Sequence, residues 1–224
     1  MTLPSLPSFH SATQALSHCF QNEPYAIIGS TSILLLGSTT VHDDDIDILV
    51  TRNQTSHFRS LLRTHPDFIV DKRTLHTIYN STPPIVIELL TPPFLYQEKY
   101  DANTPVIWVN GVRVLEPVRL LYGKCRSILG RASEEKKGVD AEDVIFLLGW
   151  LAERGKRIGG KELGNVTGEF VEWFVRRYGG GEGWKRVLGM CEGEEGGAMV
   201  RLWGGVLSSD ISLTENYYEK CRCE

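Results

Sequence analysis

Asp45 and Asp47 sit two residues apart in the segment HDDDIDILV. If that segment is extended, alternate side chains share a face, so both carboxylates project together while Ile46, Ile48 and Val50 turn to the other side. Co-facial carboxylates are a layout for holding a divalent metal ion. Magnesium is a hard ion, usually held by one or two carboxylates plus substrate phosphates rather than by an all-protein cage. A place for those phosphates lies upstream, where Gly29 and Ser30 follow the apolar run YAII and precede TSILLLG. This sets the backbone N–H groups of Gly29 to Thr31 and the Ser30 hydroxyl at a helix N-terminus, where unpaired amides and the helix dipole both favour an anion. The two halves point to metal-assisted attack on a nucleoside triphosphate such as ATP, with Mg2+ or Mn2+ as the ion. Taken singly, HDDDID is also what a solvated acidic turn looks like, and Gly-Ser before a helix is often only an N-cap. Their order, spacing and strand context together favour the functional reading.

The elements that must position these residues follow from pattern. PYAII reads as a first strand, and the short, nearly all-apolar helix after it as one buried against a sheet. Pro4 and Pro7 make the first residues a loose lead. Ser11 to Gln21 then has helical spacing at Ala12, Ala15, Leu16 and Cys19, with Ser11 as cap. After the aspartate strand, QTSHFRSLLRTHP is a helix that stops before Pro66, consistent with an α/β arrangement. FIV, HTIY and IVIELL are further strands. VIWVNGVRVLEP is a hairpin turning at Asn110-Gly111, and Pro117 then opens a helix. The stretch from Pro117 to Gly155 predicts two helices with a polar joint near Glu134 to Gly138. Of 22 glycines, sixteen lie from Gly149 onward, between candidate helices such as EFVEWFVRRY, GWKRVLGMC and AMVRLWGGVLS, with the aromatics Trp173 and Phe174 as core.

The chain resembles the nucleotidyltransferase superfamily related to DNA polymerase beta, and within it the minimal nucleotidyltransferases and AbiEii-type toxins. The residues that carry the resemblance are Ile28, Gly29 and Ser30, then Asp45, Ile46, Asp47 and Ile48. The gap between them, Thr31 to Asp44, is fourteen residues and slightly long. The resemblance implies an α/β (α+β) fold, a mixed sheet flanked by helices and followed by a C-terminal helical lobe, with a catalytic domain over 1–116 and a helical domain over 117–224. It also implies a third carboxylate on a neighbouring strand. Glu88, alone among apolar neighbours in IVIELL, is the candidate, although relatives usually carry Asp there and an outward-facing residue on an edge strand would look the same. A lone carboxylate in a core-like strand needs a partner, and a shared metal would supply one. Many relatives have Arg and Thr four and two residues ahead of the first Asp, where this chain has Val41 and Asp43. Similar helices in minimal nucleotidyltransferases carry, in order, the residue types found here at Lys124, Arg131, Lys136, Lys137, Asp140 and Asp143.

In the mechanism so implied, Asp45 and Asp47 hold two metals, one shared with Glu88, which also serves as a candidate base. Gly29, Ser30 and Thr31 grip the nucleotide's phosphates, with Lys124 as a further candidate. A nucleoside monophosphate passes to an acceptor hydroxyl or phosphate on an RNA end, a small molecule or a protein, and pyrophosphate leaves. The competing expectation is a catalytically degenerate member that binds nucleotide or a protein partner, motivated by Val41 and Glu88.

Composition narrows the class without choosing the acceptor. Hydrophobic content of 42% and charged content of 23% over 224 residues are those of an ordinary globular protein. A net charge of −4 argues against a protein that coats nucleic acid broadly but leaves room for a local basic face. One such stretch, Arg119 to Lys137, holds six basic residues against two acidic ones, and an ordinary helix surface with intrahelical ion pairs would read the same. No apolar run approaches the roughly 20 residues of a membrane span. MTLPSLPSFH lacks the features of a secretory signal, so a cytoplasmic location is expected. Five scattered cysteines are no disulfide framework, and Cys221 and Cys223 read as a frayed tail with free thiols.

Overall fold

The structure, a computed structural model, describes residues 2–92, 99–159 and 166–189. The chain divides into two compact units, Met1–Leu120 and Leu121–Glu224. The first contains α1 (Leu6–Cys19), β1 (Tyr25–Ile27), α2 (Gly29–Leu35), β2 (Asp45–Val50), α3 (Thr55–Leu62), β3 (Phe68–Val70), β4 (Thr77–Tyr79), β5 (Ile85–Leu90), β6 (Val106–Val109) and β7 (Val112–Leu115). Its strands form one mixed sheet in the order β3-β4-β5-β2-β1-β7-β6. β2 runs parallel to β5 and antiparallel to β1, and β1 runs parallel to β7. The architecture is the α/β mixed sheet expected from the pattern of apolar runs.

Alternation along β2 gives the sheet a dry face. Ile46 and Ile48 are fully buried, and Ile85 and Ile87 continue that face on β5. The fully buried Phe20 meets Tyr25 and Phe58 edge-on, at centroid distances of 5.4 and 4.8 Å. Burying side chains of this kind stabilises a domain by about 1.5–3 kcal/mol each. Asn110 and Gly111, at φ 50° and 79°, make the two-residue turn of the β6–β7 hairpin, where both central residues need positive φ.

Two helix starts differ from expectation. α1 begins at Leu6, not Ser11, because the Ser5 hydroxyl accepts from the Ser8 N–H at 3.3 Å and Pro7 falls in the first turn, where a missing N–H costs nothing. The lead is therefore helix, and it buries Phe9. In the second stretch, α4 (Pro117–Gly130) and α5 (Glu134–Glu153) meet at residues 131–133, so Glu134 to Gly138 is helical rather than a joint. Ser133 caps α5 through the Lys136 N–H, and Glu134 and Glu135 complement the positive end of its dipole.

The second unit continues with α6 (Gly168–Tyr178) and α7 (Gly181–Leu188), so its described elements are all helical. Phe174 and Trp184 are fully buried, and Trp173 stacks between Phe170 and Tyr178 at 5.7 and 5.8 Å. The expected AMVRLWGGVLS helix and the Cys221 and Cys223 tail lie outside the described residues. No described helix is long and apolar enough to cross a membrane.

α7 packs on α5 at Gly183, where a Cβ would stand 2.9 Å from the Leu148 Cβ. Overpacking of this kind costs about 1–3 kcal/mol, against up to about 1 kcal/mol gained when alanine replaces a helical glycine. Gly183→Ala is therefore expected to destabilise the second unit. Gly149→Ala, exposed on α5 with open space around it, is expected to stabilise by up to about 1 kcal/mol. Urea melts followed by tryptophan fluorescence compare the two; shifts of the same sign would contradict the packing described.

Candidate active site

Parallel pairing of β2 with β5 sets Asp47 directly beside Glu88, and Asp45 lies one pleat further along the same face. One carboxylate oxygen from each of the three falls within 4.8 Å of the others. Asp45 and Asp47 are half-buried and Glu88 is exposed. β5 is an interior strand between β4 and β2, so the edge-strand reading of Glu88 does not hold. Nor does its exposure fit a buried charge in need of a partner; the side chain stands on the open face of a strand whose other face is core.

The turn before α2 is locked to the same strand. The Ile28 N–H donates to the Asp47 carbonyl at 3.0 Å, extending the β1–β2 ladder by one residue and drawing Gly29 onto Asp47. Gly29 has φ 65°, and a Cβ there would fall against the Asp47 carboxylate, with the carboxyl carbon at 3.2 Å. Only glycine meets both demands. The buried Thr31 hydroxyl donates to the Asp45 carbonyl at 3.0 Å, and Ser32 to the Gly29 carbonyl at 2.6 Å. Thr31 thus uses its hydroxyl to hold α2 to β2. The first turn of α2 has no side-chain cap.

Asp43 enters the site in a way the sequence reading did not assign. Its carboxylate accepts from the Ser30 hydroxyl at 2.8 Å. Asp45 is pushed up to about 6 from its ordinary value of 3.8, first by burial and then by the charges of Asp43, Glu88 and Asp44. The run of three consecutive aspartates was the available signal: such a run cannot disperse its repulsion, and one member hydrogen-bonding the turn is a natural outlet.

Lys124 lies in the second unit, on α4. Its ammonium is 3.0 Å from Asp140 and 2.7 Å from Asp143, and Arg131 reaches Asp140 at 2.9 Å. Burial opposes the Lys124 charge, but the two carboxylates outweigh it and hold its pKa above the ordinary value. Asp140 and Asp143, one turn apart on α5, present both carboxylates to the same amine. Of the other cations in this stretch, Lys137 pairs with Glu134 at 2.7 Å and Arg126 donates to the Tyr122 hydroxyl at 2.9 Å. The basic stretch is thus in part an ion-paired helix surface.

A raised carboxyl pKa makes a stability statement with a definite sign. Folded Asp45 keeps its proton above the pH at which the unfolded chain releases it. The associated stability is complete below 3.8 and is lost as pH rises through about 6. In metal-free protein, Asp45→Asn is accordingly expected to melt higher than wild type at about pH 8, with the gap closing toward about pH 4. Thermal melts in a chelator test this; a variant less stable at both pH values would contradict it.

No protein-family model matches the chain, and no curated protein matches it at a significant level. Among solved structures, an antigenic nucleotidyltransferase-like protein from Paracoccidioides brasiliensis is similar with a TM-score of 0.59 and 19% identity, over 78% of this chain and 90% of that one. JHP933 from Helicobacter pylori matches at a TM-score of 0.49 and 13% identity, over 98% and 99% of the two chains. ANT(2″)-Ia, in complex with adenylyl-2″-tobramycin, matches at 0.45 and 14%, over 77% and 97%. The weight rests on the first of these, which superposes across most of both chains. With the Gly-Ser turn, the Asp-x-Asp strand and the neighbouring parallel strand in place, this chain has the fold of the nucleotidyltransferase superfamily.

Proposed function

We propose that this protein is a divalent-metal-dependent nucleotidyltransferase, moving a nucleoside monophosphate from a nucleoside triphosphate to an acceptor hydroxyl or phosphate. The observation that carries the reading is the convergence of Asp45, Asp47 and Glu88 within 4.8 Å, against a glycine turn that has no room for a side chain. The donor set fits Mg2+ or Mn2+. It is all oxygen, and one member, Asp45, is pushed up to about 6 by burial and by like charges that a cation would offset. When bound, the ion supplies charge neutralisation and lowers the pKa of a coordinated oxygen nucleophile.

The chain's own groups do the rest. Asp45, Asp47 and Glu88 fix the reacting centre on the rigid β2–β5 pair. Glu88, the most exposed of the three, takes the acceptor proton in this reading as the acceptor oxygen bonds to the alpha phosphorus. The bond from that phosphorus to the bridging oxygen breaks, and pyrophosphate leaves with its electron pair. The N–H groups of Gly29, Ser30 and Thr31 hold the beta and gamma phosphates at the uncapped start of α2. Ser30 must exchange its bond to Asp43 for one to phosphate. That exchange gives the degenerate reading its one specific support, since Asp43 both occupies the hydroxyl and repels an incoming anion.

Calorimetric titration of each nucleoside triphosphate with Mg2+, paired with transfer of alpha-labelled nucleotide to components of a cell lysate, tests both readings. Wild type is expected to bind one or more triphosphates only with metal, and to transfer label. Asp45→Ala/Asp47→Ala should do neither, and Asp47→Asn should lose transfer. Full activity in Asp47→Asn would sink the proposal, and metal-dependent binding without transfer would favour the degenerate reading.

Gly29→Ala gives a separate check on the turn. The new methyl group must displace either Asp47 or α2, at a cost of about 1–3 kcal/mol. Metal-dependent nucleotide binding is expected to be lost while circular dichroism still reports a folded sheet. Wild-type binding in this variant would contradict the tight approach.

A further inference from the structure

In the first unit, α1 is tied across the turn of the β6–β7 hairpin. Gln14, Ser17 and His18 share one face of α1, spaced three and four residues apart. The Gln14 amide donates to the Asn110 carbonyl and the Ser17 hydroxyl to the Gly111 carbonyl, each at 2.6 Å. Helix and hairpin thereby border a groove of about 340 Å3, whose rim also includes Gln21, just past the end of α1, and Trp108 of β6. Its volume falls inside the range of about 300–1,000 Å3 typical of small-ligand sites. The groove is separate from the carboxylate centre. The hairpin turn lies at the end of the sheet where β1 starts, whereas Asp47 stands beside Gly29, past the end of β1.

Trp108 is 61% exposed on an edge strand, where large apolar side chains invite unwanted pairing between chains. Its indole is nevertheless held in place. The guanidinium of Arg113, the residue opposite on β7, lies 5.7 Å from the ring centroid, and Arg113 is itself anchored by donating from Nη1 to the Glu23 carbonyl at 3.1 Å. A ring fixed in this way loses little further freedom when a planar ligand covers it. At the same rim, the Gln21 amide has no hydrogen-bond partner among the described residues, so it presents a donor and an acceptor side by side. A lone exposed tryptophan needs no explanation, and exposed glutamines are commonly only hydrated. Here the two border one void, with the ring already held by Arg113.

We propose that this groove binds a nucleobase, stacked on Trp108 and hydrogen-bonded along its polar edge to Gln21, either in a free nucleoside or as an unpaired base of single-stranded RNA. Every base has a π face, so stacking on an aromatic side chain admits them all. The glutamine adds a preference, because its paired donor and acceptor match the N6 and N7 groups of adenine. His18 supplies a further hydrogen-bonding group at the rim. The site does not depend on the chemistry assigned to Asp45, Asp47 and Glu88.

The test uses the full chain in a metal chelator, so that metal-dependent triphosphate binding at the carboxylates does not contribute. Its two probes are adenosine, followed by calorimetry, and a short labelled oligoadenylate, followed by fluorescence anisotropy. Wild type is expected to bind both. Trp108→Ala should weaken each by about tenfold or more, while Trp108→Phe keeps most of the binding, which separates a lost stacking face from a lost fold. Gln21→Ala should remove the preference for adenosine over uridine. Ile69→Ala, which trims an exposed apolar residue on the opposite edge strand β3, should change nothing. Adenosine bound as tightly as oligoadenylate identifies a free nucleoside as the ligand, and oligoadenylate bound at least about tenfold more tightly identifies a single strand. Failure of both probes to bind wild type at millimolar concentration, unchanged binding in Trp108→Ala, or displacement of adenosine by a methyl glucoside would overturn the proposal.

Discussion

Three carboxylates held within 4.8 Å of one another repel, and the first unit is arranged around keeping them there. A like-charged pair at such a distance costs between about 1 kcal/mol in a fully hydrated setting and about 4 kcal/mol near a protein surface. Side chains on flexible loops would swing apart. Here the backbone positions of all three are fixed, because Asp45 and Asp47 alternate with fully buried isoleucines on β2, and the partner strand β5 is pinned in register with Ile85 and Ile87 buried on its inner face. Separating the three attachment points would require a strand slip that exposes apolar side chains, which costs more than the repulsion relieved.

The turn that precedes α2 extends the same principle to backbone groups. Three hydrogen bonds fix it to its surroundings: Ile28 to the Asp47 carbonyl, Thr31 to the Asp45 carbonyl, and Ser32 to the Gly29 carbonyl. The backbone amides at the start of α2 and the carboxylates of β2 and β5 therefore belong to one rigid body. Their relative position is set before any ligand arrives, and preorganisation of this kind is what makes electrostatic stabilisation effective. Ser30 differs from its neighbours because its hydroxyl is engaged by an exposed acid rather than by the sheet, so it can be exchanged.

Much of this was legible in the sequence because it rests on local rules. Strand alternation put Asp45 and Asp47 on one face, the Asn110-Gly111 pair marked the hairpin, and Gly29 and Ser30 marked the start of α2. What could not be read depends on groups brought together from a distance or on competition between local signals. Pro7 looks like a breaker until Ser5 is seen to cap the helix ahead of it. Glu134 to Gly138 looks like a polar joint until Ser133 is seen to start the helix before it. Lys124 reads as a free cation, because nothing local reveals that Asp140 and Asp143 will close on it. The groove beside Trp108 combines α1 with the β6–β7 hairpin, stretches that the long-range hydrogen bonds of Gln14 and Ser17 join.

The sheet order carries a consequence for biosynthesis. β1 is flanked on one side by β2, which follows it closely, and on the other by β7, whose first residue is Val112. A chain emerging from the ribosome can pair β1 with β2, and later β2 with β5, while the other flank of β1 stays bare. The α1 side chains Gln14 and Ser17 wait equally long for their partners, the carbonyls of Asn110 and Gly111 at 2.6 Å. During that interval an apolar strand from the interior of the finished sheet is an open edge, the state in which strands recruit one another between chains. The β6–β7 hairpin is therefore also the seal that ends the nascent protein's exposure to aggregation.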